Sequence, residues 1–264
     1  MAPNRDDAAE QLNDDQVMPL TAHLEELRTR LVRSFIAIGV CFAVVYFFSK
    51  EIMLFLQQPV LAAFPPGATP FALLRLPEGF FTELKASLLV AVCVAMPYIL
   101  FQVWKFIAPG LYPRERKATI PLVVFATIFF FVGASFAYYI VFPLGFQFFL
   151  NYAEGSVIAS LSLGWYLTFV VKLIMAFGIA FELPVIVFVL GRLGLVSAAA
   201  MRKGRKIAIL VIFAGAAILT PPDVVTQVMM AGPMILLYEG SIIIVRLFGK
   251  KPEDFTLEDE SPAS

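Results

Sequence analysis

The sequence predicts an all-α integral membrane protein with six transmembrane helices, on three observations. Its 264 residues are 60% hydrophobic and only 15% charged, with a mean hydropathy of +0.84, where a soluble domain carries about a quarter charged residues. Apolar runs fit to cross a bilayer recur along the chain, divided by charged clusters. Nearly all the basic residues of those clusters fall on one side of the membrane once six crossings are drawn.

Residues 1–18 are polar and acidic, without the apolar stretch of a signal peptide, and read as a disordered tail. A membrane domain follows over 19–248, and 249–264 reads as a second disordered tail. Leu20, Leu24, Leu27 and Leu31 recur at helical spacing, predicting an interfacial helix that runs into the first span, about 31–48. Glu25 and Glu26 project from that helix, where the ordinary reading is pairing with Thr29 and Arg30 one turn on. The segment between Lys50 and Glu83 is long and partly apolar. Ile52, Phe55, Leu56 and Val60 keep helical spacing, a Phe64-Pro65-Pro66-Gly67 break follows, and Phe71 to Leu76 is apolar again. Short amphipathic pieces forming a cap on the membrane are the expectation.

The second span covers about 86–104, and the third about 118–142, opened by Pro113-Arg114-Glu115-Arg116 and suited to end at Pro143. Glu115 there simply complements a helix N-terminus as far as spacing tells. The fourth span covers about 165–190 and the sixth about 224–245. Between them the apolar run Ile207–Leu219 is bounded by a basic cluster and Pro221-Pro222. At about 1.5 Å per residue it covers about 20 Å, short of the hydrocarbon thickness of about 30 Å, so it is a buried half-span or sits in thinned bilayer.

Six spans put both termini on one side. That side receives Arg28, Arg30 and Arg33, the cluster Arg114 to Lys117, the cluster Arg192 to Lys206, and Arg246, Lys250 and Lys251. The other side receives only Lys50, Arg75 and Lys85, so both termini are expected in the cytoplasm.

Composition also excludes. Twenty Lys plus Arg balance twenty Asp plus Glu, which removes a net-charge case for nucleic acid. Cys41 and Cys93 lie in apolar runs and His23 is the sole histidine, so neither a disulfide framework nor a Cys/His metal cluster can be built. There is no phosphate-binding loop, no dinucleotide fingerprint and no nucleophile with a histidine partner. The expectation is a non-enzymatic protein without metal or cofactor.

Polar residues at membrane depth are therefore the candidates. Glu182, in Phe181-Glu182-Leu183-Pro184 near the middle of the fourth span, is expected to face protein or a water-filled cavity. Lys172 precedes it by ten residues, about 280° of rotation and about 15 Å of rise, so the two form no simple intrahelical pair. Lys172 is expected to snorkel toward the outer surface. Glu239 and Gln227 in the sixth span either bond within the bundle or mark a docking face for another helix.

Five motifs in order resemble the twin-arginine translocase subunit family TatC: His23-Leu24-Glu25-Glu26-Leu27-Arg28, Phe101-Gln102-Val103-Trp104-Lys105-Phe106-Ile107-Ala108-Pro109-Gly110-Leu111, Phe136-Ala137-Tyr138-Tyr139 with Phe142-Pro143, Phe181-Glu182-Leu183-Pro184 and Leu219-Thr220-Pro221-Pro222-Asp223. The similarity runs from about Met18 to Phe248. The resemblance implies a concave, glove-like six-helix bundle with two short last helices and a periplasmic cap, in the bacterial cytoplasmic membrane. It implies a core receptor for twin-arginine signal peptides of folded proteins, self-associating and assembling with single-span partners of the TatA and TatB type for transport driven by the proton motive force. By position, Glu26 and Glu115 match the carboxylates that receive the arginines, with Phe106 beside them, and Glu182 matches the intramembrane acid. Thr220 and Gln227 match partner-docking positions, and Pro59 and Asp223 match positions on the outer side. Pro113 and Lys172 depart from the pattern. A competing reading from the residues alone is a proton-coupled small-solute carrier using Glu182.

Overall fold

The computed structural model describes residues 20–64, 70–107, 119–153, 161–219 and 224–249. Helix α1, Leu20–Val45, passes through a 3-10 turn at Tyr46–Phe48 into α2, Ser49–Leu61. Strand β1, Phe71–Ala72, precedes α3, Glu78–Ile107. Helix α4, Thr119–Phe136, continues through a π turn at Ala137–Val141 into α5, Phe142–Ala153. Strand β2, Leu161–Ser162, leads to α6, Leu163–Phe181, then α7, Leu183–Arg192, α8, Ala198–Leu219, and α9, Val224–Phe248.

Five stretches of described residues are long and apolar enough to cross a membrane: His23–Leu61, Glu78–Ile107, Ile120–Phe148, Leu163–Arg192 and Thr226–Phe248. Helix α8 supplies the sixth, with Arg202, Lys203, Arg205 and Lys206 exposed on its first half ahead of the apolar run. The last two spans, α8 with 22 residues and α9 with 25, are the shortest of the six.

Helices α3 and α6 form the centre. Ala86, Leu89, Ala91 and Ala95 of α3 and Leu167, Val170, Leu173 and Phe177 of α6 are almost wholly buried. By contrast Phe35, Ile36, Val40 and Val44 of α1 are exposed, the apolar outer face expected where lipid is the solvent. In lipid, close packing rather than water expulsion holds helices together, so small residues mark the tightest crossings. A Cβ on Gly178 of α6 would lie 2.5 Å from the Phe130 ring of α4, and one on Gly133 of α4 would lie 2.5 Å from the Phe177 carbonyl.

Three elements differ from the sequence expectation. The run Ile207–Leu219 is not a buried half-span: it continues a helix that starts at Ala198, and Ile207, Leu210, Val211 and Ile218 are exposed on it. Pro143 does not end the third span; the chain widens into the π turn just before it and the helix runs on to Ala153. A π turn realigns the backbone bonds and so absorbs the N–H that proline lacks. The cap is only partly helical: α2 keeps the expected apolar face, burying Met53, Leu56 and Val60, but Phe71–Ala72 is a strand paired in parallel with Leu161–Ser162.

The cap is tied down by specific bonds. Pro59 sits inside α2 and cannot donate to the Phe55 carbonyl four residues back. The Tyr138 hydroxyl donates to that carbonyl, and the Tyr166 hydroxyl donates to Leu56 O. Glu78 accepts at Oε1 from Ser162 Oγ (2.6 Å) and Gly164 N (2.8 Å), and at Oε2 from Leu74 N (2.7 Å) and Arg75 N (3.2 Å). It joins the segment after β1 to the start of α6.

Candidate functional site

Glu26 and Phe106 come together because α1 packs along α3, bringing the start of one against the end of the other. Arg30, one turn after Glu26, donates from Nε to Glu26 Oε1 at 3.0 Å, and its NH2 donates to the same oxygen. Its NH1 reaches Gln102 Oε1 on α3 at 3.4 Å. The Arg30 and Glu26 side chains are only 12% and 22% exposed, and Gln102 is buried. Glu26 Oε2 is buried as well and has no hydrogen-bond partner among the described residues.

The rim of this cluster is aromatic and open. His23 stacks on Phe106 with ring centroids 4.3 Å apart and planes 18° from parallel. A cleft of about 320 Å³, lined by Glu25, Glu26, Thr29, Arg30 and Arg33, opens beside the carboxylate. A carboxylate has about four acceptor positions. Held through Oε1 by a guanidinium, Glu26 has Oε2 left, among the described residues, to accept a further charged N–H, and charge-assisted bonds are the strong ones.

The other sequence candidates fall elsewhere. Glu115 in 108–118, and Thr220 and Asp223 in 220–223, lie outside the described residues. Glu182 is 7% exposed, and its Oε1 has no partner among the described residues. It does not sit within a continuous helix: α6 ends at Phe181 and α7 starts at Leu183, with Glu182 as the residue between them. Pro184 explains the break, since it removes a backbone donor in the first turn of α7. The Glu182 carbonyl accepts from Val185 N and Ile186 N, and its N–H donates to Ile179 O. Lys172 is exposed on α6.

Gln227, in the first turn of α9, donates from Nε2 to Phe213 O of α8 at 3.0 Å. Glu239 accepts from Arg205 at 2.7 Å, and Tyr238 donates to Met201 O at 2.8 Å, so α8 and α9 form a bonded hairpin. Pro59 lies in α2 at the cap. Among the described residues no group of three His, Cys, Asp or Glu side chains is placed to hold a metal ion.

Spacing alone finds the Glu26–Arg30 pair but misses Gln102. The only sequence signal was one amide within the apolar run around Trp104; its meaning depends on the α1–α3 crossing.

Comparison with known proteins points one way. The family model described as Sec-independent protein translocase protein (TatC) matches residues 22–233. A "Sec-independent protein translocase protein TatC" from Desulforapulum autotrophicum is 48% identical over 240 residues, 91% of this chain and 88% of that protein. Its namesake from Escherichia coli K12 is 38% identical over 234 residues, 89% of this chain and 90% of that protein. The crystal structure titled "Twin Arginine Translocase Receptor- TatC" superposes with a TM-score of 0.79 at 40% identity, covering 85% of this chain and 98% of that one.

Proposed function

This chain belongs to the TatC family of Sec-independent protein translocase proteins, and from that premise we propose that it is the core receptor subunit of a twin-arginine protein export translocase. It is a translocase component and not an enzyme. Its site recognises the paired arginines of a signal peptide, and the supporting observation is the Glu26 carboxylate, tethered through Oε1 with Oε2 buried and without a partner among the described residues, beside an open cleft.

In this reading one signal arginine docks on Glu26 Oε2 and the other on Glu115. A guanidinium presents a planar fork of donors, while an ammonium is a compact point charge, so a Lys-Lys signal binds less well. Phe106 and His23 form the apolar edge of the site. The surrounding Arg30 and Arg33 oppose the entry of arbitrary cations. The apolar stretch of the signal then lies against the bundle, where Glu182 keeps the concave cavity polar.

Thr220 and Gln227 flank the outer end of the last hairpin, which docks the single-span TatA- and TatB-type partners, and Pro59 and Asp223 belong to the same outer side. Copies of the chain self-associate within the assembly. Both termini face the cytoplasm by the distribution of basic residues, and transport draws on the proton motive force.

The test is binding of a twin-arginine signal peptide to the purified chain in detergent at rising salt. The long-range attraction that brings a charged peptide to the site is screened at high ionic strength, so affinity falls as salt rises and the Lys-Lys peptide is weaker throughout. Equal, salt-independent binding of both peptides would contradict the reading.

A further inference from the structure

Lys172 has no part in signal recognition, yet it places a charge within an apolar span. It lies nine residues into α6, about 14 Å along the axis at about 1.5 Å per residue. It is exposed and makes no ion pair among the described residues. An ammonium at that depth is costly unless its head escapes or is neutralised. Helical side chains lean toward the helix N-terminus, so the Lys172 stem points toward the cap, over Thr168 one turn earlier.

A lysine from the neighbouring helix reaches the Thr168 hydroxyl. Lys85 of α3 donates from Nζ to Thr168 Oγ1 at 3.2 Å. A cavity of about 630 Å³ opens just above, with Arg75, Lys85, Thr168, Phe81 and Trp165 in its wall. The one acid in that wall, Glu78, already accepts four hydrogen bonds, which fills its acceptor positions. Among the described residues Arg75, Lys85 and Lys172 make no ion pair; the first two line the cavity, Lys172 follows Thr168 of its wall by one helical turn, and the three cations outnumber the single Glu78 carboxylate.

The setting selects the anion. Trp165 and Phe81 are each 56% exposed, and exposed aromatics at a span's end mark the level of the lipid headgroups. Leu88, one turn below Lys85 on α3, is exposed too and offers apolar surface beneath the cavity. An anion held here therefore brings hydrocarbon with it. We propose that the groove between α3 and α6 on the cap side binds an anionic phospholipid, its phosphate held by Lys85, Lys172 and Arg75 and its acyl chains lying along Leu88 and the adjacent flank of α6. The site is independent of the signal-recognition reading; the orientation proposed above makes its leaflet the outer one.

The experiment is native mass spectrometry of the purified full chain titrated with phosphatidylglycerol, with phosphatidylcholine and inorganic phosphate as separate arms. Wild type retains phosphatidylglycerol in preference to phosphatidylcholine, and inorganic phosphate does not displace it. Lys172→Leu and Lys85→Gln each weaken retention about fivefold, the worth of one basic residue beside an anionic surface, while Lys172→Arg retains the lipid. Lys172→Leu removes a charge from an apolar span, so it tests the site even if Lys85→Gln fails to fold. Unchanged retention in Lys172→Leu, an equal loss in the cap-side control Lys50→Gln, or displacement by inorganic phosphate would each overturn the proposal.

Discussion

Arg30 holds Glu26 by a single oxygen: its Nε and NH2 both donate to Oε1, and Oε2 is left buried without a partner among the described residues. Gln102 steadies the far side of the same guanidinium. The acid is thereby fixed in one rotamer and presented half-satisfied, which costs stability unless a further donor arrives.

Replacing that acid by its amide removes the negative charge and one of its two acceptor oxygens, and leaves Arg30 behind. Glu26→Gln should weaken twin-arginine peptide binding about tenfold to a hundredfold, the worth of a hydrogen bond to a charged group of about 1.5–3 kcal/mol. Fluorescence anisotropy with a labelled peptide reads this directly. The Lys-Lys peptide, weaker from the start, should lose less.

The bond from Tyr138 to the Phe55 carbonyl exists because Pro59 cannot make one. Tyr138→Phe alone should cost about 1 kcal/mol, the net worth of the hydrogen bond it removes. Pro59→Ala supplies a backbone N–H to the same carbonyl, so Tyr138→Phe should cost less in that background. Thermal unfolding of the four proteins of the cycle in detergent measures the coupling; additive effects would mean the two residues serve different groups.

At the α4–α6 crossing, Gly178→Ala drives a methyl group into the Phe130 ring. Both partners belong to packed helices, and overpacking of this kind costs about 1–3 kcal/mol. Gly215→Ala on α8, where a Cβ meets nothing within 4 Å, is the comparison and should leave the melting temperature in place.

Gln227 bonds Phe213 O across the last hairpin. Gln227→Leu should impair co-purification of a single-span partner while leaving peptide binding intact. Loss of both together would assign the residue to hairpin folding instead.

Much of this was readable in the chain. The apolar runs place the helices because a bilayer leaves backbone groups no alternative partner, so hydropathy and length suffice. The spacing of Glu26 and Arg30 also sufficed, since an i,i+4 pair needs only the helix itself. What escaped depends on distant segments meeting. The Phe71–Leu161 pairing joins strands separated by two spans, Gln102 acquires its meaning only where α3 meets α1, and Tyr138 finds Phe55 across the fold. Pro143 and Pro184 look alike as helix breakers, yet one is absorbed by a π turn and the other divides the fourth span at Glu182; local sequence does not distinguish these outcomes.

The central claim is that paired carboxylates receive a pair of arginines. It is tested most directly by site-specific photocrosslinking of twin-arginine and Lys-Lys signal peptides to this chain in membranes, with wild type beside the Glu26→Ala/Glu115→Ala double variant. The account predicts crosslinks near Glu26 and Phe106 that require Arg-Arg and vanish in the double variant. Equal crosslinking by both peptides to both proteins would contradict it and direct attention to solute flux through Glu182.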